Sequence, residues 1–533
     1  MSQALLYQIQ PRGNSGRRSS QLVVEANACN ELVLGVVGHV GSGTTTVCKL
    51  LEAALVDDKL AGGAFDVTIL KASEVIGAWA ADNARSVHQD RRDLKHAVDL
   101  QDIGDAMREK DHAAVARALV QKIRGTRAAK TGVTPGANEP VAPDGKRRAY
   151  ILDSVRHPSE VFLLRNIYQS AFALIGVVCD AEMRLDRLTE KFSNAGKGNA
   201  RQFMERDAKA KQKHGQRVDD AFHLSDFFLD NSAGRTHKDG KPNTIWTIPE
   251  QLSRFIKIVT HSEIVRPRVE ETAMYFASGA QRRSACLSRQ VGAALMDEKG
   301  HVIASGTNEV PRAGGGVYGQ GFDSATPHDE RCAYRSATDR RVCSNTQEQN
   351  VIIDKLIDDI PQLRTTPGEK RDGLRAELRG SRIGELLEFS RAVHAEMDAL
   401  LAAARAGIST VGSRMFVTTF PCHYCARHIV AAGIDEVQYI ESYPKSRALN
   451  LHDDSITVDP EGWTTPSTGG FKVLFRPFTG VAPRLYVRAF WKDRELKDKT
   501  TGVLKISDPD WGGPWDVGRL SYSQLEAELS KTE

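Results

Sequence analysis

Four side chains in the last third of this chain have the types and spacing to build a reaction centre. His394 and Glu396 stand two apart in 394-HAE-396, and Cys422 and Cys425 stand three apart behind Pro421. One imidazole and two thiols make three zinc ligands, and the adjoining sequence offers no obvious fourth. Three protein ligands leave a position open for water, as in catalytic rather than structural zinc sites. Glu396 is then free to carry protons. A C-x-x-C pair alone fits a redox dithiol or half of a structural zinc site equally well. The joint pattern H-x-E followed by P-C-x-x-C is far more specific.

The spacing also dictates how the elements must sit. Cysteines three apart share one face of a helix, and Pro421 stands where that helix would begin. His394 and Glu396, two apart, would point about 200° from each other inside a helix. They reach one centre only from a first turn. Two helix N-termini therefore face the metal, and their positive ends favour thiolates.

A second constellation lies near the other end. The stretch 38-GHVGSGTT-45 follows the apolar run 31-ELVLGVVG-38 and opens an amphipathic helix. It fits the phosphate-wrapping P-loop, whose glycines bring backbone N–H groups to a phosphate. Gly38, Gly41 and Gly43 shape the loop, and Ser42 lies within it. Thr45 keeps the magnesium-binding hydroxyl. Thr44 stands where the phosphate-binding lysine is required, and Lys49, a turn further on, substitutes poorly. Asp153, ending the apolar run 149-AYILDSV-155, has the place of the second acidic magnesium group. Without the lysine, phosphoryl transfer loses a transition-state charge. Binding of a nucleoside triphosphate with Mg2+, regulatory or weakly hydrolytic, is the expectation.

Apolar runs at 31–38, 149–155, 172–180 and 226–231, separated by helical stretches, predict an open parallel α/β sheet. From about Ser262 the order becomes helix, a hairpin turning at 297-DEKG-300, a long insertion, then helix, strand, helix and strand around the zinc motif. The fold class is α/β, with an N-terminal P-loop kinase-like parallel-sheet domain and a C-terminal α/β/α deaminase-like domain. The expected boundaries are a mobile tail at 1–30, the P-loop domain at 31–261, and the zinc domain at 262–533 with an insertion at about 311–388. The runs 472–478 and 485–491 are expected to add edge elements, and 521–531 to be helical. Cys332 and Cys343, with His328, form a candidate second metal site, although ordinary thiols in the insertion are the simpler reading.

Composition excludes other classes. The chain has 533 residues, eight cysteines and a formal net charge of +4 from 72 basic and 68 acidic residues. Eight cysteines are too sparse for a disulfide scaffold and fit a reducing cytoplasm. The near-balanced charge gives no global drive towards nucleic acid. No apolar run approaches the ~20 residues that span a bilayer, and the first residues lack a secretory h-region.

The H-x-E…P-C-x-x-C signature, the preceding hairpin and Asn308 at its end resemble the zinc nucleobase deaminases over roughly 262–490. That resemblance implies attack of zinc hydroxide on C4 of a cytosine, with Glu396 protonating N3 and then the leaving ammonia. It assigns Asn308 to the substrate sugar and Tyr443 to the base or the pocket mouth. With 153-DSVRHPSEVFLLR-165, 284-SACLSRQVGAAL-295, 306-GTNEVPRAGGG-316 and 439-YIESYPKSRALNLHDDSI-456 added, nearly the whole chain resembles the bacterial anti-phage deoxycytidine nucleotide deaminases. This implies dCTP and dCMP as substrates with water, and depletion of deoxycytidine nucleotides during phage infection. It also implies control through a regulatory nucleotide, a small inhibitory RNA as partner, and a homo-oligomer. The basic runs 122-KIRGTRAAK-130 and 146-KRR-148 add little independent support for RNA. The charged stretch 201–217 resembles a kinase lid. Two other readings compete. One is a polynucleotide cytosine or adenosine deaminase with a P-loop clamp or motor, which the aromatic content of 7 % does not favour. The other is a non-enzymatic RNA-binding regulator, which the intact His394, Glu396, Cys422 and Cys425 argue against.

Overall fold

A computed structural model describes residues 19–136, 139–192, 194–208, 210, 212, 214–236, 241–244, 246–319, 330–335, 341–386, 388–443, 445–492, 495–504 and 517–518. It divides into two compact units, one of residues 268–478 and one of the remainder.

The first unit contains a short strand β1 (Ala28–Cys29) and the sheet strands β2 (Glu31–Val37), β3 (Asp66–Lys71), β4 (Arg148–Asp153), β5 (Phe172–Val178) and β6 (Phe227–Asp230). Among the described residues that sheet runs β13–β6–β5–β2–β4–β3, parallel except for β13, the strand Gly480–Val481. Every residue of β2 and β5 is buried. This is why their sequences are continuous apolar runs rather than alternating ones: helices cover both faces. Successive side chains still point to opposite faces. Leu32, Leu34 and Val36 join one core and Val33 and Val37 the other.

In the second unit β7 (Gly292–Met296) and β8 (Val302–Thr307) form the antiparallel hairpin. Asp297 closes its turn, with Gly300 N–H donating to the Asp297 carbonyl and Lys299 N–H to its carboxylate. The strands β9 (Arg414–Thr419), β10 (Glu436–Glu441), β11 (Ile456–Thr457) and β12 (Val473–Pro477) complete the order β11–β12–β10–β9–β7–β8. Strands β9 to β12 run parallel, and β7 is antiparallel to both neighbours. Gly306 lets the helix Ala395–Arg405 lie directly on β8. A Cβ there would stand 2.2 Å from the Ala395 carbonyl oxygen, so any side chain would push the helix away.

Several expectations are corrected. Helix Ser19–Ala26 and β1 lie where a mobile tail is expected, and β1 pairs with β14 (Val517–Gly518). The run 485–491 adds no element to a sheet edge: Pro483–Phe490 is a helix, because Pro483 starts it and its apolar residues recur at helical spacing, burying Leu485 and Ala489. Residues from Thr479 onward group with the first unit, not with the zinc unit, because β13 pairs with β6. The helix in the lid-like stretch spans Lys197–Ala208. The helix expected at 521–531 lies outside the described residues. Among the described residues no helix is long and apolar enough to cross a membrane.

Candidate metal centre and phosphate loop

His394 is the N-cap of helix Ala395–Arg405, and Cys422 is the N-cap of helix His423–Ala431. Cys425 follows one turn into the second helix. Each ligand thus sits at a helix mouth, as the two-residue and three-residue spacings demand. The sulfurs of Cys422 and Cys425 each lie 3.3 Å from His394 Nδ1, and the three candidate ligand atoms lie within 4.8 Å of one another. Tetrahedral zinc with ordinary bond lengths requires N···S separations of about 3.6 Å. The residues present therefore fit the metal, with Nδ1 as the inward-facing nitrogen. Cys422 is 4 % and Cys425 1 % exposed, so the sulfurs are sheltered from water.

The electrostatics suit a ligand set for a cation. The hydrogen bond to Cys425 is the largest influence holding the Cys422 thiol down, to about 4, and His394 helps against the cost of burial. The hydrogen bond to Cys422 raises His394 to about 9. Cys425 is pushed well up, first by its bond to Cys422 and then by burial. One thiolate is thus shared by an imidazolium and a thiol. Glu396, 3 % exposed, lies beside them. Burial raises its carboxyl to about 7, with the Cys422 charge adding and His394 opposing.

Residues 369–441 match the family described as the cytidine and deoxycytidylate deaminase zinc-binding region. All four residues lie inside that span. The ComE operon protein 2 of Bacillus subtilis (strain 168) is 43 % identical over 54 residues, which are 10 % of this chain and 29 % of that protein. The deoxycytidylate deaminase of Enterobacteria phage T4 is 29 % identical over 183 residues, 33 % of this chain and 79 % of its own length. The chain thus spans less than a third of the first relative and most of the second. A dCMP deaminase structure from cyanophage S-TIM5 aligns with 40 % of this chain and all of its own at 18 % identity and a TM-score of 0.21, too distant to argue from. This chain therefore carries a deaminase-type zinc-binding region with deoxycytidylate deaminase relatives.

Asn308 and Tyr443 lie in the same unit. Asn308 is 7 % exposed. Its Oδ1 accepts from Val291 N–H at 2.6 Å and its Nδ2 donates to the Arg289 carbonyl at 2.6 Å. Both ends of the amide thus brace the backbone entering β7. Tyr443 packs against the core that contains Cys422 and Cys425, with the Arg289 guanidinium 5.8 Å from its ring centre.

Cys343 caps helix Ser344–Asp359 and lies 3.2 Å from Ser288 Oγ. Burial would raise its thiol, but hydrogen bonds with Ser288 and Thr346 bring it below the ordinary value. Cys286, which no motif singles out, lines one pocket with Cys332 and Cys343. His328 lies outside the described residues. Among those described, His394, Cys422 and Cys425 form the cluster close enough for a metal.

In the first unit Gly41 and Gly43 adopt φ of 81° and 89°, the left-handed region that glycine enters freely. Gly43 is the N-cap of helix Thr44–Val56 and gives it no side-chain cap. Thr45 Oγ1 donates to Asp153 Oδ2 at 2.8 Å, placing the two candidate magnesium groups side by side. Ser42 and Thr44 are buried, at 1 % and 8 % exposure. The Ser42 carbonyl accepts from Asn231 Nδ2 at 2.7 Å, and Asn231 in turn accepts from Trp246. Gly38 leads from β2 into the loop. Lys49 is exposed on the helix beyond it.

Proposed function

We propose that this protein hydrolytically deaminates deoxycytidine nucleotides, dCMP and dCTP, to the deoxyuridine forms at a zinc centre of His394, Cys422 and Cys425. The observation that supports it is the convergence of these three ligands with the buried Glu396, inside the segment that matches a deaminase zinc-binding region. Zinc bound by three protein ligands supplies Lewis acidity that makes water nucleophilic near neutral pH. Glu396 carries the protons. Its carboxyl, raised to about 7, both takes and gives a proton near neutrality, which suits a group that must protonate the base and then the departing amine. The helix mouths at His394 and Cys422 favour the negative charge of the thiolates and of the reacting oxygen. In this reading Asn308 meets the substrate sugar, and Tyr443 stacks on the base or closes the pocket.

In this reading the P-loop unit is the control element. Gly38, Gly41, Ser42, Gly43 and Thr44 wrap the phosphates of a regulatory nucleotide, while Thr45 and Asp153 hold Mg2+. Depleting deoxycytidine nucleotides halts DNA synthesis, so the reading extends to antiviral defence in the cytoplasm, by a homo-oligomer held off by a small RNA until infection. The test is incubation of purified protein with dCMP, dCTP, CMP and a cytosine-containing single-stranded oligonucleotide, with products separated by chromatography. Deaminated mononucleotides, formed about 10²–10⁴-fold more slowly with Glu396→Gln, are expected. Deamination of the oligonucleotide alone would give the protein to the polynucleotide deaminases, and no product from any substrate would refute the reading.

A further inference from the structure

One arm of the phosphate loop already holds an anion. Val40 N–H donates to Asp207 Oδ2 at 2.8 Å, and Asp207 Oδ1 accepts from Arg156. Asp207, on helix Lys197–Ala208, is 0 % exposed. Backbone N–H groups of such loops meet phosphate oxygens; at Val40 a carboxylate of the chain itself takes that place. The clamp by Arg156 and the complete burial leave Asp207 no route to water without stranding a guanidinium.

The helix mouth is the opposite. The N–H groups of Thr44, Thr45 and Thr46 have no acceptor within the helix, as at any helix start, and Gly43 offers no cap. Ser42 Oγ is buried without a protein partner, as is Arg184 Nε. Arg184 belongs to helix Ala181–Lys191, whose backbone presses on the loop: a Cβ on Gly41 would stand 2.7 Å from the Arg184 carbonyl. Lys191, on the same helix, is within electrostatic reach of Asp153 and Arg156. Donors without partners and cations thus gather on the helix side, and the Arg156-paired carboxylate of Asp207 holds the loop at Val40, within electrostatic reach of Arg184.

We propose that the loop takes a diphosphate group, as carried by a nucleoside diphosphate, and discriminates against a triphosphate because the Asp207 carboxylate occupies the place of the third phosphate. This rests on the P-loop reading above and adds the ligand class to it. At an effective dielectric near 20, two like unit charges about 4 Å apart would disfavour binding by far more than tenfold. The Arg156 guanidinium paired with Asp207 and bound Mg2+ offset most of that, so the expected preference is at least ~10-fold.

The test uses the full chain, with inorganic pyrophosphate and tripolyphosphate titrated calorimetrically in the presence of Mg2+. Wild type should bind pyrophosphate at least ~10-fold more tightly than tripolyphosphate. Asp207→Asn, which removes the charge and keeps an oxygen for Val40, should lose that preference, and Gly43→Val should lose both ligands. Equal or tighter binding of tripolyphosphate by wild type overturns the discrimination and leaves the P-loop reading standing, provided Gly43→Val abolishes binding. Failure of wild type to bind either probe, or unchanged binding in Gly43→Val, refutes the P-loop reading and the proposal with it. The wild-type ratio decides the matter even if Asp207→Asn does not fold.

Discussion

Replacing Asn308 with alanine separates two roles that one residue could have at this site. The resemblance to nucleobase deaminases makes Asn308 a substrate contact, whereas the structure ties its amide to Val291 N–H and to the Arg289 carbonyl, each at 2.6 Å. Asn308 is 7 % exposed, but Val291 is half-buried and Arg289 exposed, so water takes up part of what alanine removes. Two hydrogen bonds at about 0.5–1.5 kcal/mol net each make the expected destabilisation about 1–3 kcal/mol. At about 2–4 °C per kcal/mol for a unit of this size, Tm should fall by roughly 2–12 °C. The loss should fall on the unit of residues 268–478, because the two bonds join the strand ends of its hairpin. The assay is thermal unfolding of zinc-loaded wild type and Asn308→Ala, followed by KM and kcat well below the variant's Tm. A Tm within about 1 °C of wild type, which is under the smallest loss that removing both bonds should cause, together with a raised KM, would show that the amide serves the substrate and that the two bonds count for little.

Four other outcomes are expected. Wild type should contain one zinc per chain by elemental analysis, and Cys422→Ala should lose it; a content near two would assign metal to the Cys286, Cys332 and Cys343 pocket as well. Glu396→Gln should keep its zinc and lose about 10²–10⁴-fold in turnover, and near-normal turnover would remove Glu396 from the chemistry. Because His394 is raised to about 9, its proton stays on through neutrality and zinc must displace it. Apparent zinc affinity should therefore rise at least ~10-fold per pH unit from about pH 6 to 8, and a pH-independent affinity in chelator competition would contradict the imidazolium assignment. Thr45→Ala should abolish any response of deamination to added Mg2+-nucleotide while leaving zinc bound, and an unchanged response would make the P-loop mere architecture.

The zinc cluster was legible because spacing alone constrained it. Two residues cannot meet at one point from inside a helix when they stand two apart, so His394 and Glu396 had to lie at a helix start, and Pro421 marked the other start. The hairpin was legible from 297-DEKG-300 between apolar runs, and the buried strands β2 and β5 from runs too continuous for a half-exposed strand. Strand β3 was not, since only Leu70 of Asp66–Lys71 is buried, and an edge strand leaves a weak apolar signal. The helix Pro483–Phe490 was hidden because 485-LYVRAFW-491 also suits a strand, and Pro483 decides the matter only once its place at the helix start is known.

What sequence order could not show was which distant pieces share a sheet or a loop. Strand β13 pairs with β6 some 250 residues earlier in the chain, and two residues of strand carry no mark of their partner. The phosphate loop makes the same point chemically. A missing lysine at Thr44 suggests a cradle short of positive charge, and local sequence can say no more. Only the fold brings Arg156, Arg184 and Lys191 towards it from two other segments, and brings with them Asp207, an acid that no P-loop pattern contains. The charge around the loop is therefore set by residues more than 100 positions from the glycines, and the pyrophosphate and tripolyphosphate titrations read that charge rather than the glycine pattern.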